Sequence, residues 1–173
     1  MRLALGLTVL LAGACGDDDG DDIVYVPAPP DLNAPSDEMF AVFQDVVAQD
    51  LVTVDDALAV HLTAPTEGQT VPRSPPFTFS FPPALSYRHL CSTGHFVWLR
   101  FEGLAKSLDV VGGCDRLPPF STWTPDADTW AKFTARSGPI TVTLTNATFD
   151  DEVIIEGPFR ATVPTLSFTV AAE

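Results

Sequence analysis

The side chains best suited to chemistry are three cysteines, Cys15, Cys91 and Cys114, and three histidines, His61, His89 and His95. His89, Cys91, His95 and Cys114 together offer two imidazoles and two thiolates, a donor set that zinc or copper accepts. Their order, H-x-C-x3-H followed by one distant cysteine, is not a standard zinc spacing. Catalysis finds less support still. The chain has no H-E-x-x-H, G-x-S-x-G, G-x-x-x-x-G-K-S/T or G-x-G-x-x-G, the spacings that set a metal beside a base, raise a serine on an elbow or cradle a phosphate. A serine triad would have to recruit a histidine from surroundings with no partner pattern. In the acidic run from Asp17 to Asp22, placing Gly20 at the sixth position of an EF-hand loop puts Val26 where a bidentate glutamate is required. Asp150, Asp151 and Glu152 read as a solvated hairpin tip rather than a calcium site. Asn146-Ala147-Thr148 matches an N-glycosylation triplet at a strand end, and is read as chance. The expectation is therefore a chain with no catalytic residue, no metal and no cofactor.

One segment is richer. In Phe96-Val97-Trp98-Leu99-Arg100-Phe101 both alternating sets are largely apolar. If Val97, Leu99 and Phe101 face a core, then Phe96, Trp98 and Arg100 point the other way. Left exposed, those three form a candidate binding surface on which a sugar ring or a protein partner could stack, helped by Trp123 or Trp130. The competing reading lays the helix expected at 37–51 over them, or turns Trp98 into the core.

Charge excludes one class of partner. With 9 bases against 23 acids the formal charge is -14, so the cationic footprint that nucleic acid requires is missing. A hydrophobic share of 46%, with 10% aromatics, is enough to bury a core in spite of that charge.

The first 14 residues look like an export signal: Arg2, an apolar run from Leu3 to Leu11, then the small residues Ala12, Gly13 and Ala14. Leu11-Ala12-Gly13-Ala14-Cys15 resembles the lipobox of bacterial lipoproteins, in which the cysteine receives diacylglycerol and becomes the acylated N-terminus. Ala12-Gly13-Ala14 also reads as an A-x-A site for ordinary signal peptidase, which would cut the same bond. The resemblance implies lipidation at Cys15 and a place in the bacterial cell envelope, and Gly16 after the cysteine points to the outer membrane. With Cys15 assigned to lipid, Cys91 and Cys114 remain in an oxidising compartment and read as a disulfide. It would close a loop of about 23 residues, worth roughly 3 kcal/mol. The metal set stays as the alternative.

These groups need elements to position them. Residues 15–36, acidic and then proline-rich, are expected to be a flexible tether. Asp37 to Leu51 carries Met39, Phe40, Phe43, Val46, Val47 and Leu51 at helical spacing behind Ser36 as N-cap, so 37–56 is expected to be a short amphipathic helix and its connection. From 57 onward the period is two. Leu58/Val60/Leu62, Phe77/Phe79/Phe81, Ile140/Val142/Leu144 and Leu166/Phe168/Val170 alternate with polar or small residues, as in antiparallel sheets packed from one side. Phe96–Phe101, Leu108–Val111 and Val153–Glu156 bring the count to about seven strands, with Trp130 in a helical turn that plugs the end of the core.

The stretch from Leu62 to Pro72, running into Phe77-Thr78-Phe79-Ser80-Phe81, resembles the opening of bacterial Ig-like or fibronectin type III-like domains. Trp123-Thr124-Pro125 followed by Trp130, and Gly157-Pro158-Phe159 leading into Thr165–Val170, are similar to later parts of such domains. The resemblance implies an all-β fold, an Ig-like antiparallel β-sandwich over 57–173. That family is a scaffold with many duties, and it implies no particular activity. The expected function is a lipid-anchored cell-envelope protein with a non-catalytic interaction or accessory module. Its partners would be the membrane, through the anchor, and a protein or glycan of the envelope. A carbohydrate-binding surface protein using the exposed aromatics, or a small metal-binding envelope protein, are the alternatives.

Overall fold

Alternating apolar residues give a mostly β body with two helices. The computed structural model describes residues 21–26, 35–81, 94–113, 120–150 and 152–172. In chain order the elements are β1 (Asp22–Val26), α1 (Asp37–Ala48), β2 (Thr53–Val54), β3 (Thr70–Val71), β4 (Phe79–Ser80) and β5 (His95–Glu102). Then come β6 (Leu108–Gly113), β7 (Thr122–Trp123), α2 (Ala127–Thr134), β8 (Ile140–Asp150), β9 (Val153–Arg160) and β10 (Thr165–Val170).

The main sheet runs β1-β6-β5-β8-β10-β3. Its spine is β8, long enough to serve two neighbours on one edge. The first half pairs antiparallel with β10, from Ile140↔Phe168 to Thr143↔Thr165. The second half pairs antiparallel with β9, from Asn146↔Phe159 to Asp150↔Val153, with irregularities between Asn146 and Phe149. On its other edge β5 lies antiparallel along nearly the whole of β8. β4 and β7 form a separate two-stranded sheet.

The central strands are buried on both faces. On one face Val97, Leu99 and Phe101 of β5, Val110 of β6, and Ile140 and Val142 of β8 meet Phe79 of β4, Trp123 of β7 and Phe133 of α2. On the other face Phe96, Trp98, Val111, Ala147 and Phe149 meet Met39, Phe40 and Phe43 of α1. The one-sided sheet expected from the threonine-rich alternation thus holds for the start of β8 only; α1 closes the second face beyond it. Each large apolar side chain buried in this way contributes on the order of 1.5–3 kcal/mol.

Both helices start with side-chain caps. Ser36 accepts from the Met39 N–H at 3.1 Å, and Asp126 accepts from the Thr129 N–H at 2.7 Å. α1 ends at Ala48, short of the expected Leu51, where Asp50 adopts a φ of 58° and Leu51 is turned out to solvent. α2 is a true second helix, longer than the single turn expected around Trp130. Trp130 does seal the core there, and its Nε1–H donates to the Arg73 carbonyl at 2.8 Å.

Three further expectations change. Residues 22–26, assigned to the flexible tether, are an edge strand lying parallel to β6, with Val24 and Val26 packed on one core and Tyr25 on the other. Period-two burial on both faces is what holds it there. Leu58-Ala59-Val60-His61-Leu62 is not a strand: the Asn146 side chain takes the place of a neighbouring backbone, accepting from the Val60 N–H at 2.8 Å and donating to the Leu58 carbonyl at 3.1 Å. Among the described residues there are ten strands rather than about seven, four of them two residues long and too short to show as alternation.

Candidate functional site

Cys15, Cys91, Cys114 and His89, which carry the lipidation, disulfide and metal expectations, lie outside the described residues. His95, the other member of that donor set, opens β5 and is fully buried, with Nδ1 3.4 Å from Thr148 Oγ1 on the paired strand. Burial pushes its imidazole down to about 3, so it is neutral at ordinary pH. His61 is exposed and its Nε2–H donates to the Asp56 carbonyl at 3.0 Å.

Phe96, Trp98 and Arg100 do share one face of β5, as their spacing requires, but they are not an open platform. Phe96 is 7% and Trp98 4% exposed. The apolar stripe of α1 lies across them: Trp98 meets Phe40 edge-on at 5.1 Å and Phe43 at 5.4 Å, while Phe96 meets Phe149 at 5.7 Å. The exposed binding surface considered for these three residues is corrected accordingly. A helix with an oily side must cover something, and this sheet face is what it covers.

Beside Trp98 the sheet buries a charge. Asp109, on β6 directly opposite Arg100, has no exposed surface. Trp98 Nε1–H donates to its Oδ1 at 2.8 Å, and the Arg100 guanidinium reaches both carboxylate oxygens at 3.2 and 3.0 Å. The same guanidinium holds Asp21 at 2.9 Å and lies 3.7 Å from Glu102. Burial raises the Asp109 carboxyl above its ordinary value, outweighing the pull of Trp98 and Arg100 the other way. Burial also works against the Arg100 charge, but Asp109, Asp21 and Glu102 together hold it above its usual range. Sequence reading passed over Asp109, although one acid inside the apolar run Leu108-Asp109-Val110-Val111 was a signal that a cation or donor must meet it.

Other polar groups, one exposed and one buried, also join elements. Asp56 accepts from both the Thr162 N–H and its hydroxyl, at 2.8 and 2.7 Å, and these bonds hold the Asp56 carboxyl below its ordinary value. Asn146, first residue of the glycosylation-like triplet, is buried with its amide engaged by 58–60, so that triplet presents no free acceptor. Asp150 and Glu152 flank the β8–β9 turn as expected of a hairpin tip, with Asp151 outside the described residues.

Two open surfaces stand out. A cleft of about 380 Å³ lies between the 60–67 segment and the β9–β10 turn. Val60, Leu62, Leu144, Val163 and Leu166 line its apolar part, while His61 and Glu67 stand at its polar part. The second surface is the outer edge of β9. β2 pairs with it only at Phe159 and Arg160, and towards the turn Val153 and Ile155 are exposed. Among the described residues no strand pairs with that edge there, although α1 packs near β9.

Comparison with protein-family models, with curated proteins and with solved structures finds no match. What the fold and the site define is a mostly β body with two helices, whose buried polar groups tie its elements together.

Proposed function

We propose that this chain is a lipid-anchored protein of the bacterial cell envelope whose body is a non-catalytic interaction or accessory module. Acylation at Cys15 holds it on the outer membrane, and Cys91 and Cys114 form its disulfide. The body is read as an Ig-like sandwich with an incomplete second layer, in which β4 and β7 face the main sheet and α2 completes the cover. The observation that carries the module reading is the β9 edge: exposed Val153 and Ile155 lie on a stretch that, among the described residues, pairs with β8 alone, an arrangement that accepts an extended partner segment. The engagement of Asp109, Asp56 and Asn146 in joining elements supports a scaffold rather than a reactive centre. The sugar-binding alternative loses its platform, since Trp98 and Phe96 lie under α1.

Intact mass of the mature protein under non-reducing conditions tests the anchor and the disulfide together. The expected N-terminal residue is a diacylglyceryl-modified Cys15, with about two daltons missing for one disulfide. An unmodified Cys15 in a protein released from membranes would refute the anchor. Ile155→Lys should abolish capture of the envelope partner without loss of folding; undiminished capture would refute the edge as the contact surface.

A further inference from the structure

β10 and β9 take successive halves of one edge of β8, and the turn through residues 161–164 joins them. The cleft of about 380 Å³ opens beside that turn. Val60 and Leu144 are buried in its wall, and Leu62 and Leu166 are half-buried there. Its backbone lining is as specific as its apolar wall. The Leu144 N–H donates to the Pro164 carbonyl at 3.2 Å, so even-numbered residues of this segment turn their polar backbone groups towards β8 and odd-numbered ones turn theirs outward. Two outward residues are met by the chain itself. The Thr169 N–H donates to the Gln69 carbonyl at 3.0 Å; at Ser167 the carbonyl accepts from the Gly68 N–H at 2.8 Å and the N–H donates to the Glu67 carboxylate at 2.8 Å. Thr165, the next outward residue, lines the cleft and is exposed, and among the described residues no group meets its N–H or its carbonyl. The first residue of β10 thus presents one donor and one acceptor beside an apolar recess.

The cleft is also negative. Glu67 is exposed and its carboxylate is held by a neutral N–H, not by a cation. Asp56, beside His61 and bonded to Thr162, adds a second carboxylate at the rim. None of the six lysines and arginines among the described residues lines the cleft. Arg160, the closest to it along the chain, turns its Nε to Thr145 Oγ1 at 2.7 Å, on the opposite face of β8 from Leu144. His61 is the one other titratable side chain in the lining.

We propose that this cleft binds a short extended segment of a partner protein in which an aliphatic residue stands beside a lysine or arginine. The backbone of the segment pairs with Thr165, its aliphatic side chain enters among Val60, Leu62, Leu144 and Leu166, and its cation lies against Glu67. Glu67 and Gly68 already close the β10 edge at Ser167, so few residues can pair and selection falls on those two side chains. A second copy of this chain fits poorly, because its formal charge of -14 meets the same acids. The site is separate from the β9 edge and stands whether or not that edge takes a partner.

The test uses the full chain and a capped pentapeptide of alternating valine and lysine. Its references are the same peptide with glutamate for lysine, the lysine peptide methylated on its backbone nitrogens, and butylamine. Binding is followed by titration, and hydrogen exchange is read at the Thr165 amide. The lysine peptide should bind about tenfold more tightly than the glutamate peptide, a gap that narrows near 1 M salt, and should slow exchange at Thr165 about tenfold at saturation. The methylated peptide should not slow it. Glu67→Gln keeps an acceptor for the Ser167 N–H and removes the charge, so it should weaken the lysine peptide about threefold with thermal unfolding unchanged. Equal binding of the lysine and glutamate peptides, or no slowing at Thr165, overturns the proposal. Butylamine acting as well as the peptide would make the ligand a small amine, and a dimer in sedimentation that the peptide disperses would make it a second copy; either result overturns the proposal too.

Discussion

His95 should make the protein lose stability in mild acid. In the folded chain it is buried and its imidazole is held down to about 3, against an ordinary value of 6.5. Once unfolded, the ring takes up a proton as soon as the pH falls below 6.5, while the folded protein excludes it until near pH 3. A depressed folded value therefore contributes stability that is fully present above 6.5 and drains away as the pH falls through that window, at about 1.4 kcal/mol per pH unit. Between pH 7.5 and pH 5 the loss is about 2 kcal/mol, since pH 5 lies about one and a half units below the unfolded value. Other groups do not mimic this. Asp56 and Asp126 are held below the ordinary carboxylate value of 3.8 by hydrogen bonds from Thr162 and Thr129, so their stabilisation is lost only at lower pH. Asp109 has a raised value and works in the opposite sense, since its protonation favours the folded chain as the pH falls towards 3.8. Urea unfolding at the two pH values, for wild type and His95→Gln, isolates the histidine. With a slope of about 2 kcal/mol per molar, the wild-type midpoint should fall about 1 M further than that of the variant. The variant starts from its own stability, so the measured quantity is the change with pH. Equal changes in the two proteins would refute the assignment of a buried neutral imidazole.

Three other perturbations follow from the packing. Arg100→Met leaves Asp109 buried without its cation and should destabilise the fold by about 3 kcal/mol, the lower part of the usual range because Arg100 is itself partly exposed; Asp109→Asn in the same protein should restore part of it in denaturant titration, and no recovery would mean that the charge is not the cause. Asn146→Ala unties the Val60 N–H and the Leu58 carbonyl and should cost about 1–3 kcal/mol for each group left unmet, with faster amide exchange at Val60 as the local readout. At Gly112 a Cβ would stand 2.2 Å from the Phe120 ring, so Gly112→Ala should destabilise by about 1–3 kcal/mol in thermal or chemical unfolding, and a neutral result would place the ring elsewhere.

The sequence by itself determined the β periodicity and where most of it lies. Alternation at Ile140–Leu144 and Leu166–Val170, and short apolar runs at Phe96–Phe101 and Leu108–Val111, became β8, β10, β5 and β6, because local order sets which side chains share a strand face. It also showed α1, whose Ser36 cap and oily stripe are local features. Tertiary structure decided what met what. Leu58–Leu62 has strand spacing but no strand, because a side chain 86 positions away from Val60 occupies the place of a neighbour. Residues 22–26 looked like leash until a parallel partner was supplied by β6, a pairing with no local signature. Trp98, Asp109 and Arg100 were each legible as residues with something to do, and only the arrival of α1 above and β6 alongside turned an aromatic face into an interior joined by a buried ion pair. Composition recorded an excess of acid over the whole chain. Strand direction and helix placement, which depend on contacts between distant segments, set Arg100 on Asp21 and Lys132 on Asp22, pairs that no local pattern announces.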